Sequence, residues 1–264
     1  MQRTASTSID LDLSGPAQLI FAVAAAQGQP IASESLVISV DGTEVQPTEI
    51  IDAHGTRLHS VHVQGANATL RYQVVVDGIA AEPPVADTDQ VVYLRPSRYC
   101  ESDTLAPTAA AEFSGLQGTP LLQAVISWVN EKLTYVAGSS RPTDGAVRTL
   151  LSREGVCRDF AHLAVALLRS LNVPARVAAV YAPGLSPMEF HAVAEALVDG
   201  RWWVVDATEL APRQSLLRVA TGRDAADTAF LTAFGAAATL TRLEVTAVVD
   251  DFHTDDTDAL TQLR

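Results

Sequence analysis

Residues 155–182, GVCRDFAHLAVALLRSLNVPARVAAVYA, decide the fold, because one hydrophobic period ends inside them and another begins. Phe160, Ala161, Ala164, Leu167, Leu168 and Leu171 recur at helical spacing and form one apolar stripe. Asn172 and Pro174 end that helix, since asparagine tolerates the left-handed conformation and proline cannot continue the ladder. From Ala175 the period drops to two, so ARVAAVYA (175–182) reads as a strand. HAVAEALV (191–198) and RWWVVDAT (201–208) read as two more. Asp199-Gly200 joins them, and both residues tolerate the positive φ that a two-residue hairpin requires.

Working outward, Thr119-Pro120 starts a helix that carries Leu121, Leu122, Val125, Ile126 and Val129 and ends near Leu133. A short helix is expected over 143–152, and the next opens at or near Cys157. Residues 215–221 and 240–249 read as further strands, and the acidic tail from 250 to 264 as frayed. Upstream, SIDLDL (8–13), QLIFAVAA (18–25), SLVISVDG (35–42), LHSVHVQG (58–65) and ATLRYQVVVDG (68–78) are short, β-branched and bounded by turn residues. They predict a small antiparallel β-sandwich. Pro83-Pro84 begins an irregular strap reaching about Gly118. The expected class is therefore α+β, with a sandwich and strap in 1–105 and helices packed on an antiparallel sheet in 106–264.

The bulk numbers narrow the function. The 264 residues are 48% hydrophobic, enough for a substantial core, and their formal charge of −13 opposes nucleic acid and anionic lipid as partners. The first residues carry no apolar run of signal-peptide type, and no stretch reaches membrane-spanning length. Two cysteines are too few for a disulfide framework; a Cys100–Cys157 bridge stays open, with a reduced, cytoplasmic protein the preferred reading. His54, His59 and His62 lack ligand spacing and read as strand or surface residues. With no phosphate-cradling loop or dinucleotide fingerprint either, neither a metal nor a cofactor is expected.

Chemistry concentrates around Cys157. A thiol at the start of a helix meets unpaired N–H groups and the positive end of the dipole, which favour the nucleophilic thiolate. A two-residue loop at Asp199-Gly200 makes facing residues sum to 399, so Asp206 faces Val193 and His191 faces Thr208. His191 and Asp206 then lie on one face as diagonal neighbours, about 7–8 Å apart at the backbone. Asp206 can hold one ring nitrogen while the other takes the proton of Cys157. Trp202 shares that face and is a candidate cleft wall, while Trp203 takes the other. His162 points away from Cys157 and reads as helix support. Asp159 reads as a helix-end acid, and Arg223, Asp224 and Asp227 as an ion-pair cluster at a turn.

The ordered set of GVCRDFAHLAVALLRSLN, a histidine 34 residues after the cysteine and an aspartate 15 residues later in DGRWWVVDAT resembles the bacterial transglutaminase-like proteins described as cysteine proteases. YLRPSRYCESD (93–103) and GRDAADTAFL (222–231) also resemble segments of that family, as does an N-terminal β domain. The resemblance implies a papain-like core and a thioester acyl-enzyme formed on a peptide, isopeptide or glutamine-type amide of a peptide or protein substrate. It further implies that Tyr135 or Trp128 lies near the oxyanion, alongside the Cys157 backbone N–H. Val193 and Ala207 depart from the family's aromatic and proline at those places, which touches the choice between hydrolysis and transfer to an amine. A non-catalytic scaffold retaining the fold is the rival from another class.

Overall fold

The computed structural model describes residues 1–252, 254–256 and 259–264. Seven strands open the chain: β1 (Gln2–Leu13), β2 (Ala17–Phe21), β3 (Ile31–Val40), β4 (Thr43–Val45), β5 (Thr48–Ile51), β6 (Arg57–Val63) and β7 (Asn67–Asp77). Period-two patterning explains them: Ala5, Thr7, Ile9, Leu11 and Leu13 of β1 point inward, as do Ala68, Leu70, Tyr72, Val74 and Val76 of β7. The middle of the chain holds α1 (Asp89–Val92), α2 (Ser102–Glu112), α3 (Gly118–Lys132), β8 (Thr134–Tyr135), α4 (Ala146–Ser152), β9 (Glu154–Gly155) and α5 (Cys157–Ser170). The last strands are β10 (Ala175–Tyr181), β11 (His191–Val198), β12 (Arg201–Val205), β13 (Leu217–Gly222), β14 (Leu231–Gly235) and β15 (Ala238–Val249).

The protein is α+β. Two antiparallel sheets, ordered β15-β1-β7-β3-β4 and β14-β2-β6-β5, make the N-terminal sandwich, and a third, β12-β11-β10-β13, packs against the helices. The helix α5 is buried nearly all round, as expected of a helix enclosed by other elements. Its Ala164, Leu167 and Leu168 meet Leu122 and Val125 of α3 and Val177, Ala194 and Ala196 of the third sheet. Asn172 has φ 61, and the Val173 N–H closes the helix by donating to the Leu168 carbonyl at 3.0 Å.

Three features depart from the sequence reading. The strap contains an 11-residue helix, α2, which Pro107 and a weak apolar stripe conceal; its Leu105 and Ala109 join the α5 core. Residues 231–249, assigned from sequence to the second unit, return to the sandwich, where β14 pairs with β2 and β15 with β1 along its length. The tail is docked rather than frayed over its described residues. Arg213 grips Asp255 through two bonds of 2.8 and 3.0 Å, Val204 donates to the Thr261 carbonyl, and Leu263 is buried. His253, Thr257 and Asp258 of that tail lie outside the described residues.

Candidate active site

Cys157 is the first residue of α5, and its approach is tightly set. The parallel pair β8/β9 delivers the chain to Val156 in an extended conformation. Asp159 then caps the helix start by accepting the Val156 N–H at 2.9 Å and the Ser140 hydroxyl at 2.9 Å. Gly155 is required here, since a Cβ would lie 2.7 Å from Cβ of Asp159. The helix-end role read for Asp159 is therefore a specific one: it fixes the turn that presents the thiol.

The second half of the site comes from the hairpin. Asp199 and Gly200 have φ of 51 and 73, and the register runs Val198↔Arg201, Leu197↔Trp202 to Ala194↔Val205, the pairing expected from a two-residue loop. Continued past Val205, it brings the side chains of Asp206 and His191 together, Nε2 to Oδ2 at 3.2 Å. Thr208 completes the carboxylate shell, donating its N–H at 2.9 Å and its hydroxyl at 2.7 Å to Oδ1 of Asp206. Asn130 holds the same segment through the Ala207 carbonyl at 2.9 Å. Burial alone would lower the His191 pKa, but the charge and hydrogen bond of Asp206, with Cys157 adding to both effects, push it up to about 10. Asp206 is buried too, which opposes its ionisation, yet His191 and Thr208 hold its carboxyl below the ordinary value. With Nε2 engaged by Asp206, Nδ1 has no hydrogen-bonding nitrogen or oxygen and is the ring atom left for the Cys157 sulfur.

Two cavities flank the thiol. One, about 260 Å³, is walled by Val177, Ala179, Phe190, His191, Thr228 and Phe230. The other, about 270 Å³, is bounded by Tyr135, Gly138, Glu189 and the same two phenylalanines, whose rings stack at 5.5 Å. Tyr135 lies against the Cys157 backbone and donates its hydroxyl to Oε1 of Glu189 at 3.0 Å. Burial and the charges of Cys157 and Glu189 hold the Tyr135 hydroxyl in its protonated form by raising its pKa. Trp128 is not in the cleft: it packs edge-on against Phe113 and donates to Glu112 at 2.8 Å.

Trp202 is also removed from the cleft. It shares the inferred face, but sits fully buried at the far end of β12, edge-on to Tyr93 at 5.5 Å and beneath the Arg176 guanidinium. Val193 and Ala207 line neither cavity; both are core residues on opposite sides of the sheet. His162 supports the site from behind, stacking on Tyr99 at 5.3 Å and accepting the Ala225 N–H at 3.0 Å. Arg223 and Asp227 form a two-bond ion pair at that turn, and Asp224 accepts the Tyr99 N–H. His54, His59 and His62 do not converge, and no group of three potential metal ligands occurs among the described residues. Sequence reasoning missed Thr208, Glu189, Phe190 and Phe230. Thr208 was accessible to it, because a threonine two residues after an aspartate can return both of its donors to the carboxylate.

Residues 108–207 match the family described as the transglutaminase-like superfamily. A solved structure from Cytophaga hutchinsonii, described provisionally as a cysteine protease, is 33% identical with a TM-score of 0.87, covering 98% of this chain and 96% of that one. The periplasmic domain of TgpA from Pseudomonas aeruginosa matches at 18% identity and a TM-score of 0.44, over 77% of this chain and 90% of that one. An uncharacterized protein of Mycobacterium leprae is 31% identical over 118 residues, which are 40% of this chain and 41% of that relative's length. No helix among the described residues is long and apolar enough to cross a membrane.

Proposed function

The chain belongs to the transglutaminase-like superfamily, and on that premise we propose that it is a cysteine-dependent hydrolase of peptide, isopeptide or glutamine-type amide bonds. One observation carries the reading: Cys157 opens α5 beside an imidazole whose other nitrogen is bonded to a buried carboxylate. In this mechanism Nδ1 of His191 carries the proton given up by Cys157, and the sulfur attacks the amide carbonyl carbon. The Cys157 backbone N–H and Tyr135 face the resulting oxyanion. His191 returns the proton to the departing amine, leaving a thioester. Water then gives a proton to His191 and its oxygen to the acyl carbon, releasing the acid and restoring the thiol. Asp206 keeps the ring oriented and supports its charged form throughout.

The second reading is transfer of the acyl group to an amine. Glu189 favours it, because a carboxylate in the 270 Å³ cavity beside Cys157 suits an incoming ammonium group. Both cysteines are free, in keeping with a cytoplasmic location. Incubation with a peptide-amide panel and a labelled primary amine tests the proposal. Turnover must be abolished in Cys157→Ala, and the ratio of acid to labelled adduct separates the two reactions. Equal turnover by Cys157→Ala contradicts both.

A further inference from the structure

A cavity of about 420 Å³, larger than either beside Cys157, opens on the other face of the third sheet. Arg176 and Glu195 are directly paired across β10 and β11. They share a sheet face with Ala178, Val180 and Val193, whose side chains pack away from α5. Glu195 is fully buried and accepts Arg176 Nε at 2.8 Å and both terminal nitrogens of Arg218 at 2.8 and 2.7 Å. These two arginines hold its carboxyl down to about 2 against the effect of burial, so it remains ionised. Arg218 is fully engaged at those nitrogens, which also reach Thr221 and the Leu263 carbonyl.

Arg176 is not. Its guanidinium lies 3.8 Å over the Trp202 ring and is fixed through Nε, yet among the described residues Nη1 and Nη2 have no hydrogen-bond partner. The residue is only 3% exposed, and it lines the cavity. The two terminal nitrogens are thus free on the cavity wall, and their rigid plane matches a carboxylate. The same wall carries acceptors. Asp89 is buried, with Oδ2 taking the Ala86 N–H at 3.0 Å, and the Gln29 side-chain oxygen is buried without a partner. Glu82 stands at the edge, 3.8 Å from Arg201.

We propose that this cavity binds a free amino acid or a dipeptide, its carboxylate on the terminal nitrogens of Arg176 and its ammonium toward Asp89 and Gln29. The volume falls within the roughly 300–1,000 Å³ usual for small-ligand sites. The walls come from the sandwich, from residues 80–89 and from the third sheet, so an occupant contacts all three.

Titration calorimetry on the full chain tests the site, using the standard amino acids and a dipeptide set, with acetate and inorganic phosphate as comparators. The expected result is saturable binding of at least one amino acid or dipeptide, tighter than either comparator. Arg176→Lys keeps the charge but not the fork, and weakens binding roughly tenfold or more. Ala53→Trp, placed at an exposed rim position, blocks binding without touching the buried network. Alkylation of Cys157 leaves binding intact, which separates this site from the cleft and from the proposed hydrolase reading. Absence of binding by the whole panel overturns the proposal. So does equal binding of acetate or phosphate, persistence in Ala53→Trp, or loss on Cys157 alkylation.

Discussion

His191 and His162 are both completely buried beside the first turns of α5, yet their surroundings drive them in opposite directions. Around His162 burial dominates, with Arg158 and Arg169 adding to it and Asp224 opposing it, and the pKa falls to about 3. Its Nε2 accepts a backbone N–H, a role only the neutral ring can fill. Around His191 burial acts in the same sense, but the Asp206 carboxylate and Cys157 outweigh it. Burial therefore does not decide the charge of an imidazole here; the partner on the second nitrogen does. One ring serves as an uncharged strut and the other is kept charged beside a thiol.

Removing the partner of His191 breaks this contrast most directly. Asp206→Asn should return His191 to the behaviour of an unpaired buried imidazole, and turnover should fall by about 10³–10⁴. NMR titration of the ring checks the first effect and steady-state kinetics the second. Thr208→Val should act more gently, since it removes one hydroxyl donor to Asp206 and leaves the backbone donor in place. A loss of roughly tenfold in kcat is expected, from about 1.5 kcal/mol for a hydrogen bond to a charged group, with KM little changed. The opposite strut is tested by His162→Gln, which should leave the Cys157 labelling profile unaltered while shifting acid stability.

The two histidines contribute to that stability with opposite signs. Between about pH 3 and 6.5 the unfolded chain takes a proton at His162 that the folded chain refuses, so this contribution rises with pH. For His191 the contribution is complete below about 6.5 and is lost as pH rises toward about 10. His162→Gln should therefore move the acid midpoint of unfolding downward, measured by circular dichroism. An unchanged midpoint would show that His162 is not the neutral strut described here.

What the sequence discloses about these sites follows from interaction range. Asp199-Gly200 specifies its turn locally, and the turn dictates which residues of β11 and β12 face one another, so the His191–Asp206 pair was readable. The same parity placed Trp202 on the right face but did not disclose its depth. Arg176 and Tyr93 draw the indole to the far end of the strand, and those contacts arise from distant segments. The pairing of β15 with β1 joins residues 225 to 246 positions apart, which no local pattern encodes. In α2, Pro107 masks a helix that packing against α5 supports. Glu189, Phe190 and Phe230 form the cleft only once β10, β11 and the turn after β13 are assembled.

The most direct measurement is the rate of iodoacetamide labelling at Cys157 in the folded protein and in His191→Ala, with Cys100 as internal control. Cys100 is completely enclosed in the helical core, and burial pushes its thiol well above the ordinary range. Rapid labelling of Cys157 is expected in the folded protein, slowed roughly tenfold or more in His191→Ala, while Cys100 reacts only on unfolding. Labelling of Cys157 that His191→Ala leaves unchanged, or that is no faster than that of Cys100, would contradict an assembled Cys157–His191–Asp206 site.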